Sequence, residues 1–204
     1  MRIRKVLWII LGLIILVGCT GESSSFTDDF SDPASGWGAA STETYVRGYD
    51  SGQYLIRLDA PHWYVWATAG RRYDDVSVEA VVHSEGTTDN HFGLLCRASG
   101  EGFYYFAISA DGYYAIYRRT AEGQFLPLTG PAMLRSSLIN TGGTSNRLLA
   151  VCEETTLALY VNGEQVAQVM DDTLASGDIG MAAGIVARGD STLVWFDDLQ
   201  VTRP

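Results

Sequence analysis

Apolar and polar positions alternate with period two over much of the chain, which is the pattern of half-buried β-strands. The alternation is clearest over residues 54–58 and 76–82, and residues 157–161 run into Asn162-Gly163, a strong hairpin turn. Further strands are predicted over residues 180–186 and 193–201. No segment has a long helical period. Many short strands, 22 glycines and frequent turns predict an all-β fold, a two-sheet antiparallel sandwich or jelly roll.

Residues 103–119 predict a hairpin whose two faces differ. Its turn is Ala110-Asp111-Gly112, and a left-handed Gly112 in a three-residue loop pairs Phe106 with Ile116. One face then carries Phe106, Ile108, Tyr114 and Ile116. The other carries Tyr105, Ala107, Ser109, Tyr113, Ala115 and Tyr117. The first set is the more apolar, so we expect it in the core, with the tyrosines on the opposite face.

The first 18 residues have the features of a signal peptide, with Arg2, Arg4 and Lys5 ahead of an apolar run. Leu16-Val17-Gly18-Cys19 resembles the lipobox of bacterial lipoproteins. The resemblance implies cleavage before Cys19 and its acylation, and hence a protein anchored by lipid to the cell membrane on its extracytoplasmic face. Residues 19–25 would be the lipidated cysteine and a flexible tether, and residues 26–204 the domain. The alternative is an uncleaved signal anchor with a buried cysteine.

The charge balance excludes one class of partner. The chain has 14 Lys+Arg and 24 Asp+Glu. Removal of residues 1–18 takes three positive charges, so the mature balance is 11 − 24 = −13. Such an acidic protein is not expected to bind nucleic acid.

Cys96 and Cys152 remain once Cys19 is lipidated. Each lies in a strand-like run, and an exported domain meets an oxidising compartment, so we expect a disulfide between them. The alternative is two buried thiols.

Several segments resemble the concanavalin A-like lectin/glucanase jelly rolls, including domains related to 3-keto-disaccharide hydrolases. They are DDFSD at 28–32, GLLCR at 93–97, FYYFAISADGY at 103–113, LYVNG at 159–163 and FDD at 196–198. The similarity covers nearly all of residues 26–204. It implies a concanavalin A-like jelly-roll fold, and function has to be argued from the site.

The candidate catalytic residues are sparse. Glucanases of this superfamily carry a Glu-x-Asp-x-(x)-Glu strand motif, which this chain lacks, and Glu79 alone is more typical of a solvated strand position. We therefore expect carbohydrate binding without catalysis. One alternative is an enzyme related to 3-keto-disaccharide hydrolases, which a carboxylate pair in one pocket would favour. Another is an envelope adhesion or scaffold domain, which a flat apolar patch would favour.

A structural calcium ion is a further expectation. Asp28-Asp29 and Asp197-Asp198 lie near the two ends of the domain, and sandwich termini are often close together. Related jelly rolls carry calcium near their termini, which suggests a site near Asp29 and Asp197. The alternative is that these are ordinary strand-end aspartates.

Aromatic residues are the candidates for sugar binding, because sugar rings stack on them. The chain has 5 Trp, 11 Tyr and 7 Phe. The segment HWYVW at 62–66 must turn one set of large side chains away from the core. The predicted carbohydrate-binding residues are Trp63, Arg97, Tyr105, Tyr113 and Tyr117, with Arg119 nearby in sequence. We expect Tyr105→Ala to weaken binding and leave stability nearly unchanged. The alternative is that these rings only cover the outside of a sheet.

Overall fold

The computed structural model describes residues 25–186 and 191–203. The predicted signal peptide, Cys19 and the tether up to residue 24 lie outside the described residues. The first strand begins at Ser25, one residue before the predicted start of the domain. Among the described residues, no helix has the length and apolar character that a membrane crossing needs.

Sixteen strands make up the described chain. They are β1 (Ser25–Asp28), β2 (Ala40–Ser41), β3 (Tyr45–Asp50), β4 (Gln53–Leu58), β5 (Tyr64–Thr68), β6 (Val76–Gly86), β7 (Asn90–Ser99), β8 (Gly102–Ile108), β9 (Tyr113–Thr120), β10 (Phe125–Pro127), β11 (Leu134–Arg135), β12 (Asn146–Glu153), β13 (Thr156–Val161), β14 (Glu164–Met170), β15 (Asp178–Ile185) and β16 (Thr192–Thr202).

The strands form two antiparallel sheets packed face to face. The first has the order β14-β13-β12-β6-β16-β4-β3-β2, and β1 also pairs with β16. The second has the order β10-β9-β8-β7-β15-β5, and β11 also pairs with β9. The predicted all-β jelly-roll sandwich is thereby confirmed. The β1–β16 pairing also brings the two ends of the domain together, as expected.

The core between the sheets follows from the predicted alternation. In β6, Val76, Val78, Ala80 and Val82 are fully buried, and the residues between them are partly exposed. Burying one valine side chain contributes about 1.5–3 kcal/mol to folding. The valines of this one strand therefore contribute substantially to the packing of the two sheets.

The β8–β9 hairpin has the predicted register. Phe106 pairs with Ile116 and Tyr105 with Tyr117, and Gly112 has a φ of 93°. The amide of Ser109 donates to the carbonyl of Tyr113 over 2.8 Å, which closes the three-residue loop. The set with Phe106, Ile108 and Ile116 is buried in the core, as expected.

Strand β8 differs from the half-buried strands because all seven of its residues are buried. Tyr104 and Phe106 belong to the core between the sheets, whereas Phe103, Tyr105 and Ala107 belong to a second apolar cluster. The second sheet is therefore covered on its outer face as well.

The predicted disulfide joins the two sheets. Cys96 on β7 is bonded to Cys152 on β12, with 6.7 Å between their Cα atoms and a sequence separation of 56. Both side chains are fully buried. The bond therefore links the two sheets across the buried core.

Loss of the disulfide should lower stability without changing the fold. Closing a loop of this length contributes roughly 4 kcal/mol by its effect on the entropy of the unfolded chain. The Cys96→Ala/Cys152→Ala variant should therefore unfold at a lower urea concentration than the oxidised protein and keep its far-UV circular dichroism spectrum. Reductant should shift the wild type toward the variant and leave the variant unchanged. Equal midpoints for oxidised and reduced wild type would contradict the prediction.

Candidate functional site

The outer face of the second sheet carries the candidate site. The cluster there contains Leu95, Phe103, Tyr105, Ala107 and Ala182, with Tyr64, Tyr117, Phe125 and Met133 packed against them. We call this surface the aromatic face. It forms because alternate residues of β7, β8, β9 and β15 point away from the core, as period-two geometry requires.

Tyr64 reaches across the aromatic face from β5 to the residues of β8. It lies on β5, and β15 and β7 separate that strand from β8. Its ring centroid is nevertheless 5.4 Å from that of Tyr105. Three of the outward residues on the strands between are small, namely Gly93, Ala182 and Gly184. Because they carry almost no side chain, the Tyr64 ring has room to reach across the sheet.

An open depression of about 410 Å³ lies at one end of the aromatic face. It is lined by His62, Trp63, Tyr64, His91, Tyr105, Tyr117, Phe125, Met133, Ile185 and Val186. Three of the predicted binding residues, Trp63, Tyr105 and Tyr117, are therefore brought together. Trp63 is 43% exposed at the rim, whereas Tyr105 is fully buried in the floor.

The burial of Tyr105 corrects one expectation. Its ring packs against Tyr64, Tyr117 and Phe125 at centroid distances of 5.4 to 6.4 Å. Removing such a side chain leaves a cavity, which costs about 3–5 kcal/mol for a buried aromatic residue. The expectation that Tyr105→Ala leaves stability nearly unchanged was therefore wrong.

His91 supplies polar atoms to the depression. Its Nδ1 atom lies 3.0 Å from the Tyr105 hydroxyl, and its ring stacks on Tyr64 with 5.7 Å between centroids. Burial lowers the pKa of His91 to about 4, although the charge of Asp89 partly opposes this. Burial also raises the pKa values of Tyr64 and Tyr105 well above 10. These three groups are therefore uncharged at neutral pH.

The hydroxyl group of Tyr64 has no hydrogen-bond partner among the described residues. The oxygen is buried, and the Tyr64 ring lies among other rings, with Phe125 and Tyr105 at centroid distances of 4.9 and 5.4 Å. A buried polar atom without a partner is costly and uncommon in proteins, so it marks a position to be explained.

Arg119 and Trp66 extend the aromatic face beyond the depression. The guanidinium carbon of Arg119 lies 5.1 Å from the ring centre of Trp66 and 5.5 Å from that of Phe103. Trp66 is 39% exposed. The arrangement is a cation–π contact that holds a positive charge at the surface of the aromatic face.

Arg97 does not belong to the aromatic face, so the structure corrects its predicted role in sugar binding. Its side chain is 2% exposed. Its guanidinium donates hydrogen bonds to three backbone carbonyl oxygens and one carboxylate, those of Asp74, Leu174, Glu154 and Asp75. The cause is a register shift between Cys96 and Ser99, where Arg97 adopts a φ of 52°. The bulge turns the side chain away from the outer face.

Tyr113 has the same strand parity as Tyr117 but lies apart from the depression. It pairs with Arg135 of β11 at the far end of the hairpin. Within residues 25–186 and 191–203, no aromatic ring contacts its ring. The structure therefore groups Tyr113 with neither Tyr105 nor Trp63.

Sequence reasoning missed five residues of this face, namely Tyr64, Trp66, His91, Phe103 and Phe125. The signal that was present is the HWYVW segment, since Val65 and Ala67 point into the core and leave Tyr64 and Trp66 outside. For His91 and Phe125 the register of β7 and β10 was needed.

The aspartates near the domain ends form hydrogen bonds with neighbouring residues. The Asp29 carboxylate accepts hydrogen bonds from the amide and hydroxyl of Ser31, and Asp197 accepts one from Gln53. No group of three or more His, Cys, Asp or Glu side chains that could hold a metal occurs among the described residues. Calcium binding near Asp29 and Asp197 stays a prediction from sequence alone.

The depression offers no catalytic pair for glycoside hydrolysis. Its ten described lining residues include no Asp or Glu, and the reaction ordinarily requires two carboxylates across the scissile bond. Glu79 lies on the outer face of the other sheet, where Arg147 donates to it over 2.7 Å.

Acidification should destabilise the protein through His91. In the unfolded chain the imidazole gains its proton near pH 6.5, whereas in the folded protein its pKa is about 4. Between these values the unfolded chain binds more protons. The free energy of unfolding therefore has its full value above pH 6.5. It decreases as the pH falls from 6.5 to 4, by up to about 3 kcal/mol.

Urea unfolding at successive pH values checks this, with His91→Gln as the variant that cannot titrate and His83→Gln as the control. The fall should be smaller in His91→Gln and persist in His83→Gln, since His83 stacks on Trp195 in the first sheet. The same fall in both variants would contradict it.

Comparisons with known proteins identify the fold. No family model matches the chain, and no curated protein matches it. A β-glucanase from Bacillus licheniformis superposes with a TM-score of 0.65 at 10% identity, over 89% of this chain and 99% of the other. A protein of unknown function with a galectin-like fold from Bacillus subtilis superposes with a TM-score of 0.64 at 9% identity, over 87% of this chain and 94% of the other. The carbohydrate-binding module CBM66 from Bacillus subtilis superposes with a TM-score of 0.53 at 14% identity, over 86% of this chain and 93% of the other. The chain thus has a concanavalin A-like jelly-roll fold.

Proposed function

We propose that the protein binds carbohydrate through the depression on the aromatic face, without cleaving it. The observation that carries the proposal is a depression lined by the exposed residue Trp63, by buried rings and by uncharged polar groups. Binding sites for small ligands are typically concave and mostly apolar, with a few placed polar groups. The depression has this composition.

Trp63 is the stacking platform of the proposed site. Its ring stands at the rim, 6.2 Å from the ring of Tyr45, and 43% of the residue is open to solvent. The face of a sugar ring that carries C–H groups packs on such a surface, and the burial of apolar area on both partners stabilises the contact.

Polar groups at the floor orient the sugar. His91 bonds Tyr105 through Nδ1, so its tautomer is tied to the Tyr105 hydroxyl and Nε2 remains for a sugar hydroxyl. Because His91 is uncharged at neutral pH, it binds a neutral hydroxyl without the cost of removing water from a cation.

The fold relatives support a carbohydrate ligand, by analogy only. One is named as a carbohydrate-binding module and another as a β-glucanase. Because no carboxylate lines the depression, we favour binding over hydrolysis, and so over an enzyme related to 3-keto-disaccharide hydrolases. A depression with polar atoms in its floor also favours a small ligand over a flat protein contact.

We further propose that Cys19 anchors the domain in the cell membrane through lipid, on the extracytoplasmic face. The order of positive residues, apolar run and Leu16-Val17-Gly18-Cys19 supports this. The Cys96–Cys152 disulfide also supports export, because such bonds persist in oxidising compartments. The domain would then meet glycans of the cell envelope or its surroundings.

Trp63→Ala should weaken glycan binding and leave the fold intact. The full chain, purified in a detergent without a sugar headgroup, is first screened on a glycan array, and the ligands found are measured by calorimetry. Loss of the ring should weaken binding about tenfold or more. Thermal unfolding should change little, because the residue is exposed.

Trp195→Ala is the matched control, since Trp195 stacks on His83 on the outer face of the other sheet. Its glycan affinity should equal that of the wild type. Equal weakening in both variants, or no bound glycan at all, would refute the proposed site.

Cys19→Ala should abolish lipid attachment and leave the precursor uncleaved at that position. The change removes the thiol that accepts the acyl chains. Metabolic labelling with a fatty acid, followed by fractionation of membranes, measures it, and Cys152→Ala should keep its label. Labelling that persists in Cys19→Ala would show that the lipobox has been misread.

A further inference from the structure

Two consecutive arginines of β9 have different surroundings. Arg118 points to the core side, where its guanidinium lies 2.5 Å from the carboxylate of Asp171. Arg119 points to the aromatic face, and no described carboxylate forms an ion pair with it. Among the described residues, its guanidinium forms one hydrogen bond, a long one of 3.4 Å to the carbonyl oxygen of Thr120. The guanidinium therefore keeps most of its donors for another group.

The position of Arg119 is fixed by rings. Its guanidinium carbon is 5.1 Å from the ring centre of Trp66 and 5.5 Å from that of Phe103. Arg119 is also only partly buried, like the rest of the end of β9. The contacts hold the charge in place and leave it accessible from the aromatic face.

The charge adjoins the depression. Phe103 lies 6.1 Å from Tyr64 and 6.4 Å from Phe125, measured between ring centroids, and both of these rings line the depression. The positive charge of Arg119 also acts on the Tyr64 hydroxyl, where it lowers the pKa against the larger opposing effect of burial. Arg119 and the depression thus belong to one continuous surface.

Two polar groups here have hydrogen-bond donors left over. The buried Tyr64 hydroxyl has no partner in the described residues, and Arg119 has no carboxylate. Both groups donate hydrogen bonds, and a guanidinium binds planar or multiply charged anions most strongly. An anionic oxygen placed beside Trp66 would satisfy Arg119 directly and bring an acceptor toward the hydroxyl.

The net charge of the protein strengthens this argument. A chain with 24 acidic and 14 basic side chains repels anions in general. An arginine without an acidic partner on the ligand-facing surface therefore offers a local attraction that the rest of the surface does not.

We propose that the ligand is an acidic glycan, one whose sugar carries a carboxylate or a sulfate. The anionic group lies against Arg119 beside Trp66, and the adjoining sugar occupies the depression at Trp63. The inference rests on the proposed carbohydrate binding and adds the chemical class of the glycan.

The test compares matched acidic and neutral sugars on the full chain, in a detergent that is uncharged and has no sugar headgroup. The pairs are an oligogalacturonide with its methyl ester, sialyllactose with lactose, and a sulfated galactose oligosaccharide with its unsulfated form. The acidic member of at least one pair should bind about tenfold tighter, and added salt should reduce the difference. The pair that responds tells a carboxylate from a sulfate.

Arg119→Gln should lower the affinity for the acidic member to that for the neutral one, and Arg119→Lys should retain part of the preference. The control is Arg147→Gln, which removes an exposed arginine from the outer face of the other sheet and should keep the preference. The wild-type comparison does not depend on how the variants fold.

Outcomes separate the two proposals. Neutral glycans that bind as tightly as acidic ones, through Trp63 and irrespective of Arg119, would overturn the acidic class and keep carbohydrate binding. A preference for acidic glycans that survives Arg119→Gln would overturn the role of Arg119. Binding of no glycan, acidic or neutral, would overturn both.

Discussion

The β8–β9 hairpin has to serve two apolar layers at once, and the rest of the structure depends on its register. Phe106 and Ile116 fill the space between the sheets, while Tyr105 and Tyr117 fill the outer cluster. A slip of one residue would exchange the two sets. The three-residue loop with Gly112 in a left-handed conformation fixes the register locally, before any distant contact has to form.

Strand β7 connects the proposed binding site with the cross-links at the other end of the sandwich. Near its start, His91 contributes to the depression. Near its end, Cys96 is bonded to the other sheet, and Arg97 binds the loops that contain Asp75 and Leu174. Arg97 comes six positions after His91, which is about 20 Å along an extended strand. The strongest cross-links thus lie away from the proposed binding site.

The features that local rules control were predictable from sequence. The hairpin turn gave the register, alternation gave the two faces, and cysteine parity gave the disulfide. Trp63 and Tyr105 were each predicted as binding residues, but that they line one depression did not follow from alternation, since Trp63 precedes β5 and has the parity of the core residue Val65. Arg97 was assigned to the wrong face because a β-bulge interrupts the alternation. The sequence of residues 96–99 contains no signal that predicts this bulge.

Tyr64 could not be placed by such rules. Its contact with Tyr105 needs β15 between their strands, and that strand comes from more than 70 residues later in the chain than Tyr105. The role of Arg119 depends likewise on Trp66 across the same sheet. Contacts of this kind follow from topology, which local periodicity leaves open.

The mutual packing of the rings has a consequence for the thermodynamics of ligand binding. Tyr64, Tyr105 and Phe125 are held by one another, and His91 is held by its bond to Tyr105. Their rotamer freedom is already lost when the chain folds. A ligand therefore meets a preorganised surface, and the entropy that remains to be lost on the protein side is mainly that of the exposed Trp63.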